Sequence, residues 1–128
     1  MNIGTYRLMQ LNLKIWLGDE TEHGVLGEGR FRLLREVHRT GSLTQAAQQL
    51  GISYRKAWGD IRSAEEGLGF ELITRQRGGR KGGASNLNDR ALRLLKAYTR
   101  IQNTMNKKAQ QQYKQILEPI VREKNNNT

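Results

Sequence analysis

The sequence predicts a mainly α-helical fold with a small β-strand component. Apolar residues recur every three or four positions through residues 42–68, and Gly51 divides this stretch into two short helices. Two short runs that favour β-strand flank a glycine-rich loop at residues 78–83. A further helical pattern extends from residue 88 to Pro119. Because 128 residues can bury one modest core, we expect one domain with an extended helix attached to it.

The composition is strongly basic, with 22 Lys and Arg against 12 Asp and Glu, a formal charge of +10 and a pI near 10.4. Such a charge favours a polyanionic partner, and nucleic acid is the first candidate. A membrane partner is not expected, because no apolar run approaches the roughly 20 residues of a spanning helix and residues 1–11 lack the apolar core of a signal peptide. The absence of cysteine is compatible with the cytoplasm, where we expect the protein.

The first predicted element is a hairpin near the N-terminus. Four apolar residues alternate with polar ones, as in a half-buried strand, and Val25 and Leu26 can form a short returning strand. The alternating apolar residues are Leu11, Leu13, Ile15 and Leu17. The acidic turn at residues 18–24 contains carboxylates and His23, but they lack the ordered spacing of metal ligands, so we expect a solvated turn and no metal.

A helix is predicted next, over residues 29–40, with Phe31, Leu34 and Val37 on its buried side. His38 lies near the same side without a nucleophile or carboxylate partner at a known spacing, so we expect a core or boundary residue. The chain has only two histidines, its carboxylates are scattered and no cofactor motif is present. We therefore expect neither an enzyme nor a cofactor.

The stretch that follows predicts two helices joined by a tight turn. Ser42 and Gln45 have the spacing of a capping box at the start of the first helix. Gly51 can end that helix in the left-handed conformation, and Ser53 can cap the next one. The predicted buried residues are Leu43, Ala46, Ala47 and Leu50 in the first helix, and Ala57, Ile61, Ala64 and Leu68 in the second. The opposite side of the second helix is rich in hydrogen-bond donors, whereas Trp58 is expected to pack underneath it.

A strand, loop and strand follow, over residues 70–74, 75–83 and 84–87. The loop contains four glycines around Arg80 and Lys81, so its backbone can approach a phosphate closely. The two preceding helices form a helix-turn-helix, and a β-hairpin that follows such a motif is called a wing. We therefore expect a wing here. A nucleotide-binding loop is the competing interpretation, but Ala84 and Ser85 stand where a Walker sequence requires Lys followed by Ser or Thr.

The last predicted element is a long amphipathic helix that starts near Asn88 and is interrupted by Pro119. Its length suggests pairing with a second copy, and the alternative is that it folds back over its own domain. The predicted dimer contacts are Leu94, Leu95, Tyr98, Ile101 and Met105. We expect a DNA-binding domain at residues 1–88, a dimerisation helix at 89–118 and a disordered tail at 119–128.

The chain resembles the N-terminal DNA-binding domain of ModE-type molybdate-responsive regulators, which is close to the LysR-type winged helix-turn-helix. The segments that carry this resemblance are residues 51–58 (GISYRKAW), 68–75 (LGFELITR) and 78–83 (GGRKGG). The chain departs from the family pattern at Arg80, where a glycine is usual, and at residues 88–90. The chain after Ile101 has no room for the family's molybdate-binding module, so sensing of molybdate or another oxyanion is not expected.

The resemblance implies a dimeric transcription regulator that binds double-stranded DNA, with the second helix in the major groove and the wing on the backbone. The predicted base or groove-wall contacts are Tyr54, Arg55, Gly59 and Arg62. The predicted phosphate contacts are Ser53, Lys56, Arg75, Arg77, Arg80 and Lys81. Two alternatives stay open at this point: a less specific nucleic-acid-binding protein, either nucleoid-associated or RNA-binding, and a protein-interaction adaptor that uses the long helix.

Overall fold

The computed structural model describes residues 8–21, 23–75 and 85–124. Its elements in chain order are β1 (Leu17–Gly18), β2 (Gly24–Leu26), α1 (Glu28–Thr40), α2 (Leu43–Leu50), α3 (Tyr54–Leu68), β3 (Ile73–Arg75), β4 (Ser85–Leu87), α4 (Asp89–Gln112), a π-helical turn (Tyr113–Leu117) and α5 (Glu118–Val121). Residues 15–99 form one compact unit, and the described residues before and after them form a second. Within the described ranges, no helix has the length and hydropathy needed to cross a membrane.

The N-terminal hairpin is much shorter than the sequence predicts. Strand β1 begins only at Leu17, which pairs with Leu26 in an antiparallel arrangement with an irregular register. The prediction of a strand from Leu11 is therefore wrong for most of its length. The carbonyl oxygen of Ile15 accepts a hydrogen bond from the Tyr98 hydroxyl at 2.9 Å, so this backbone group is satisfied by a helix side chain and not by a neighbouring strand.

The turn between β1 and β2 is organised by Asp19. Its carboxylate accepts hydrogen bonds from the Thr21 hydroxyl at 2.6 Å, the Thr21 backbone N–H at 2.9 Å and the His23 backbone N–H at 3.0 Å. The bond from the Thr21 hydroxyl is the main reason that the pKa of Asp19 is lowered, and it outweighs the opposing effect of desolvation. Among the described residues, no group of three or more His or acidic side chains is placed to hold a metal.

Helices α1, α2 and α3 begin and end at the residues that the sequence indicates. Gly41 and Gly51 follow α1 and α2 in the left-handed conformation, with φ of 69° and 67°. Ser42 Oγ accepts from the Gln45 N–H at 3.2 Å, and Ser53 Oγ accepts from the Lys56 N–H at 3.0 Å. The Ser42 N–H donates to Thr40 Oγ1 at 3.3 Å. In a capping box the Ser42 N–H would donate to the Gln45 side chain. Here it donates instead to Thr40, the last residue of α1.

The core lies where these three helices meet. The predicted buried sides are confirmed except at Leu50 and Leu68, which are half-buried and pack against the core, and Leu33 is an additional core residue of α1. His38 is exposed, so its prediction as a core or boundary residue is wrong. The residues that α1, α2 and α3 contribute to this core are Phe31, Leu33, Leu34, Val37, Leu43, Ala46, Ala47, Ala57, Ile61 and Ala64. This core fixes α3 against α1 and α2, so that the remaining sides of α3 face solvent.

Strands β3 and β4 form the predicted antiparallel hairpin, with Ile73 opposite Leu87 and Arg75 opposite Ser85, but β3 begins at Ile73 and not at Phe70 as predicted. The Ser85 N–H donates to the carbonyl oxygen of Gly41 at 3.0 Å, which joins the hairpin to the corner between α1 and α2. A second connection starts from α3, because Glu65 Oε2 accepts from the Leu72 N–H at 2.8 Å. The base of the wing is therefore held to the same scaffold that positions α3.

Helix α4 starts at a polar junction made by Asn88. Its Oδ1 accepts from the Ala91 N–H at 2.8 Å and thereby caps the helix, while its Nδ2 donates to the carbonyl oxygen of Glu71 at 2.6 Å. Leu95 and Tyr98 are buried in the core of their own chain. The Tyr98 ring stacks on Phe31 at 3.5 Å between centroids, and burial raises the pKa of Tyr98. Their assignment as dimer contacts is therefore corrected.

The C-terminal helix also continues further than predicted. A π-helical turn at Tyr113–Leu117 leads into α5, which ends at Val121, so Pro119 lies within helical structure. Proline is tolerated in the first turn of a helix because its missing N–H has no partner there. The prediction that the disordered tail begins at residue 119 is wrong for Pro119, Ile120 and Val121, whereas residues 125–128 lie outside the described part of the chain.

Two glycines of α3 provide a matched stability prediction. A Cβ atom at Gly67 would lie 2.8 Å from Cγ1 of Val25, a buried residue of β2, whereas a Cβ atom at Gly59 would meet nothing within 4 Å. We expect Gly59→Ala to stabilise the protein by about 0.5–1 kcal/mol through helix propensity, and Gly67→Ala to destabilise it by about 1 kcal/mol because overpacking exceeds that gain. Urea unfolding of both variants measures the difference, and equal stabilisation would contradict the close contact with Val25.

Candidate nucleic-acid interface

Helix α3 presents its first turn to solvent. The Ser53 cap starts the helix there, and Ala57 is the first residue to point into the core. The four residues before Ala57 are all exposed, and the side chain of Tyr54 is 51% accessible although it is a large aromatic group. The predicted contacts Ser53, Tyr54, Arg55 and Lys56 are therefore brought together at the N-terminal end of one helix.

Arg55, Gly59 and Arg62 lie along one face of α3, because steps of four and three residues return to the same side of a helix. All three are exposed, and neither arginine forms an ion pair with an acid in the described part of the chain. A Cβ atom at Gly59 would meet nothing within 4 Å, so the surface at this position is open. This face combines unpaired cationic donors with room for a close approach.

Lys56 lies on a neighbouring face and has a different environment. Its ammonium is 3.4 Å from a carboxylate oxygen of Asp60, and the other oxygen of Asp60 is 3.8 Å from Nε of Arg30 in α1. Arg30 also donates to the carbonyl oxygen of Val25 at 2.7 Å. Asp60 thus links two cations from different helices. Neither Asp60 nor Arg30 is among the predicted site residues, although the four-residue spacing of Lys56 and Asp60 is typical of an ion pair on a helix.

The structure describes the other predicted residues to different extents. Trp58 is half-buried and packs against the core, as predicted. Arg75 ends strand β3, and only its backbone position is described. Arg77, Arg80 and Lys81 lie outside the described residues. The wing contacts with phosphate therefore stay predictions, whereas the exposed positions on α3 are observed.

Comparisons with known proteins agree with this geometry. Residues 29–86 match the family model of the bacterial regulatory helix-turn-helix proteins of the lysR family. The Transcriptional regulator ModE of Haemophilus influenzae is 36% identical over 75 residues, which are 59% of this chain and 29% of that protein. The Molybdenum-pterin-binding protein MopB of Rhodobacter capsulatus is 34% identical over 77 residues, which are 60% of this chain and 28% of that protein. The chain thus spans less than a third of these relatives.

A solved structure supports the fold independently. The crystal structure of the BenM DNA-binding domain in a complex with catB site 1 DNA is similar with a TM-score of 0.53 and 21% identity, covering 70% of this chain and 93% of that one. At this identity the similarity concerns the fold alone, and it confirms the predicted winged helix-turn-helix. Residues 29–86 are thus similar in sequence to the lysR-type helix-turn-helix proteins and to the corresponding part of ModE-type regulators, and the described part of this region has the winged helix-turn-helix fold.

Proposed function

We propose that this protein is a sequence-specific DNA-binding transcriptional regulator that acts as a homodimer on double-stranded DNA. The observation that carries the proposal is the exposed face of α3, where Arg55 and Arg62 flank Gly59 and form no ion pair with a described acid. In a helix-turn-helix, the second helix enters the major groove with its N-terminal residues on the base edges. A guanidinium group can bind the O6 and N7 atoms of guanine with two hydrogen bonds. A protein that binds chromosomal DNA in this way is expected in the cytoplasm. The proposal includes no catalytic role.

The homodimer is supported by exposed apolar residues on α4. Ile101 and Met105 are 52% and 43% accessible, and they are separated by one helical turn. Apolar side chains at this spacing are suited to pairing with a second helix. A symmetric dimer would place two copies of α3 in successive major grooves, about 34 Å apart on an inverted repeat. Of the predicted dimer contacts, these two and the half-buried Leu94 remain part of the proposal.

The proposal is tested by competition binding at one fixed salt concentration. A labelled duplex that contains the preferred site is displaced by unlabelled site duplex, by random duplex and by double-stranded RNA of equal length. A specific regulator should favour its site over random duplex by at least about 10³-fold, and RNA should compete no better than random duplex. Equal competition by all three nucleic acids would instead identify a general nucleic-acid-binding protein. Tight binding of a protein partner without any duplex binding would identify an adaptor.

Asp60 allows a prediction in which a substitution strengthens DNA binding. Its carboxylate is only 24% accessible and holds Lys56 by an ion pair on the helix that we place against DNA. We expect Asp60→Asn to tighten binding to random duplex and to steepen the slope of log affinity against log salt by about one unit, because Lys56 becomes available to a phosphate. Asp60→Glu, which keeps the charge, serves as the matched control. Weaker binding of Asp60→Asn to random duplex would show that Lys56 needs Asp60 to hold it in place.

A further inference from the structure

The second half of α4 and the π-helical turn after it carry a charged surface that has no part in the proposed contacts of α3. From Arg100 to Leu117 the sequence contains four cationic residues and no Asp or Glu. Three of these cations recur every seven residues, with polar residues between them at helical spacing. We call this surface the basic stripe, and it consists of Arg100, Thr104, Lys107, Gln111 and Lys114. All five side chains are exposed.

The basic stripe lies opposite the side on which this stretch of α4 and the π-helical turn is buried. Successive helical residues are turned by about 100°, so Ala109 and Tyr113 lie roughly on the opposite face from Lys107. Both are buried, with 7% and 6% accessibility. Near them, Gln110 donates to the carbonyl oxygen of Leu11 at 2.7 Å. Packing within the unit formed by residues 8–14 and 100–124 therefore turns the basic stripe towards solvent.

The charges of the basic stripe are not balanced in the way that those of two arginines in α1 are. In α1, Arg32 lies 3.4 Å from Glu28 and Arg39 lies 2.7 Å from Glu36. By contrast, Arg100, Lys107 and Lys114 form no ion pair with any acid in the ranges that the structure describes. Cations seven residues apart are separated by about 10.5 Å along the helix axis, where like charges repel weakly, and a polyanion would remove this repulsion. The same repulsion opposes pairing of two basic stripes in a dimer.

We propose that the basic stripe binds the phosphate backbone of duplex DNA, separately from the major-groove contacts of α3. Arg100 and Lys114 are about 21 Å apart along the helix axis at 1.5 Å per residue. Duplex DNA carries one phosphate charge per about 1.7 Å of its axis, so a duplex segment of this length holds more phosphates than three cations need. Lys and Arg bind phosphate as charged donors, while Thr104 and Gln111 add neutral donors between them. The choice of DNA as the polyanion rests on the proposed function.

The test measures how binding of the full chain to random duplex depends on salt. The variant Arg100→Gln/Lys107→Gln/Lys114→Gln removes three charges and keeps good helix-forming residues. We expect it to reduce the slope of log affinity against log salt by about 2–3 units, since each lost phosphate contact contributes about 0.9. The matched control Arg32→Gln/Arg35→Gln/Arg39→Gln removes the same charge from exposed positions on α1 and should change the slope by less than about one unit.

Two further measurements separate the remaining explanations. The variant Lys107→Arg/Lys114→Arg keeps the charge and should retain the slope of the unmodified protein, which excludes a loss caused by disturbing α4. Poly-L-glutamate should compete weakly with duplex DNA, and competition as strong as that of random duplex would overturn the assignment to DNA. An unchanged slope in the glutamine variant, or an equal loss in the α1 control, would also overturn it. The proposed function is tested separately by sequence preference. This preference should persist when the three charges of the basic stripe are removed.

Discussion

Replacing Phe31 with alanine is expected to cost about 3–5 kcal/mol of the free energy of unfolding. The Phe31 side chain is only 2% accessible, and its ring stacks on Tyr98 with 6° between the ring planes. The substitution therefore removes a large buried group and an aromatic contact that joins α1 to α4. Domains of this size are stable by about 5–15 kcal/mol, so a large share of the total would be lost. Urea unfolding followed by circular dichroism measures the change.

Tyr98→Phe serves as the control for this prediction. It keeps the stacked ring and removes only the hydroxyl, which donates to the carbonyl oxygen of Ile15 at 2.9 Å. A hydrogen bond of this kind contributes about 1 kcal/mol, so Tyr98→Phe should cost much less than Phe31→Ala. If Phe31→Ala costs no more than Tyr98→Phe, the packing of α4 on α1 at this contact is not as the structure places it.

Replacing Arg55 with alanine is expected to reduce discrimination at one base pair of each half-site by about 1–3 kcal/mol. Arg55 is exposed in the first turn of α3 and pairs with no described acid, so the guanidinium group is available to a base edge. The measurement compares affinities for the preferred duplex and for duplexes with single base-pair changes. The unmodified protein should distinguish these duplexes at every contacted position, and Arg55→Ala should lose the distinction at one.

Lys81→Ala is the contrasting variant. Lys81 is predicted to bind phosphate, which has no sequence information, so its loss should weaken binding to all duplexes alike. The slope of log affinity against log salt should decrease by roughly one unit, with the pattern of base preferences unchanged. If Arg55→Ala behaves in this same uniform way, Arg55 contacts the backbone and its assignment to a base is wrong.

The helix-turn-helix could be predicted from the sequence because its determinants are local. Ser53 and its Lys56 N–H partner lie in one helical turn, and Gly51 ends α2 through its own left-handed conformation. The periodicity of Ala57 and Ile61 likewise depends only on the helical repeat. Such signals do not require knowledge of the rest of the fold, which explains why α2 and α3 were predicted with accurate ends.

The errors arose where distant parts of the chain decide the structure. Alternation beginning at Leu11 resembles a strand, but the partner of Ile15 is a tyrosine 83 positions later in the sequence. Leu95 and Tyr98 lie on an apolar side that could cover the chain's own core or a second copy, and periodicity does not distinguish these two uses. The link between Arg30 and Asp60 also joins two helices, so no short spacing in the sequence reveals it.

The central claim is that the exposed face of α3 reads base edges in duplex DNA. Selection of bound molecules from a pool of randomised duplexes, using the full chain, tests it most directly. We expect an inverted-repeat consensus with half-site centres about 34 Å apart, which is one helical turn of DNA. Duplex binding with no enriched sequence would contradict base readout by α3 and leave only affinity for the phosphate backbone.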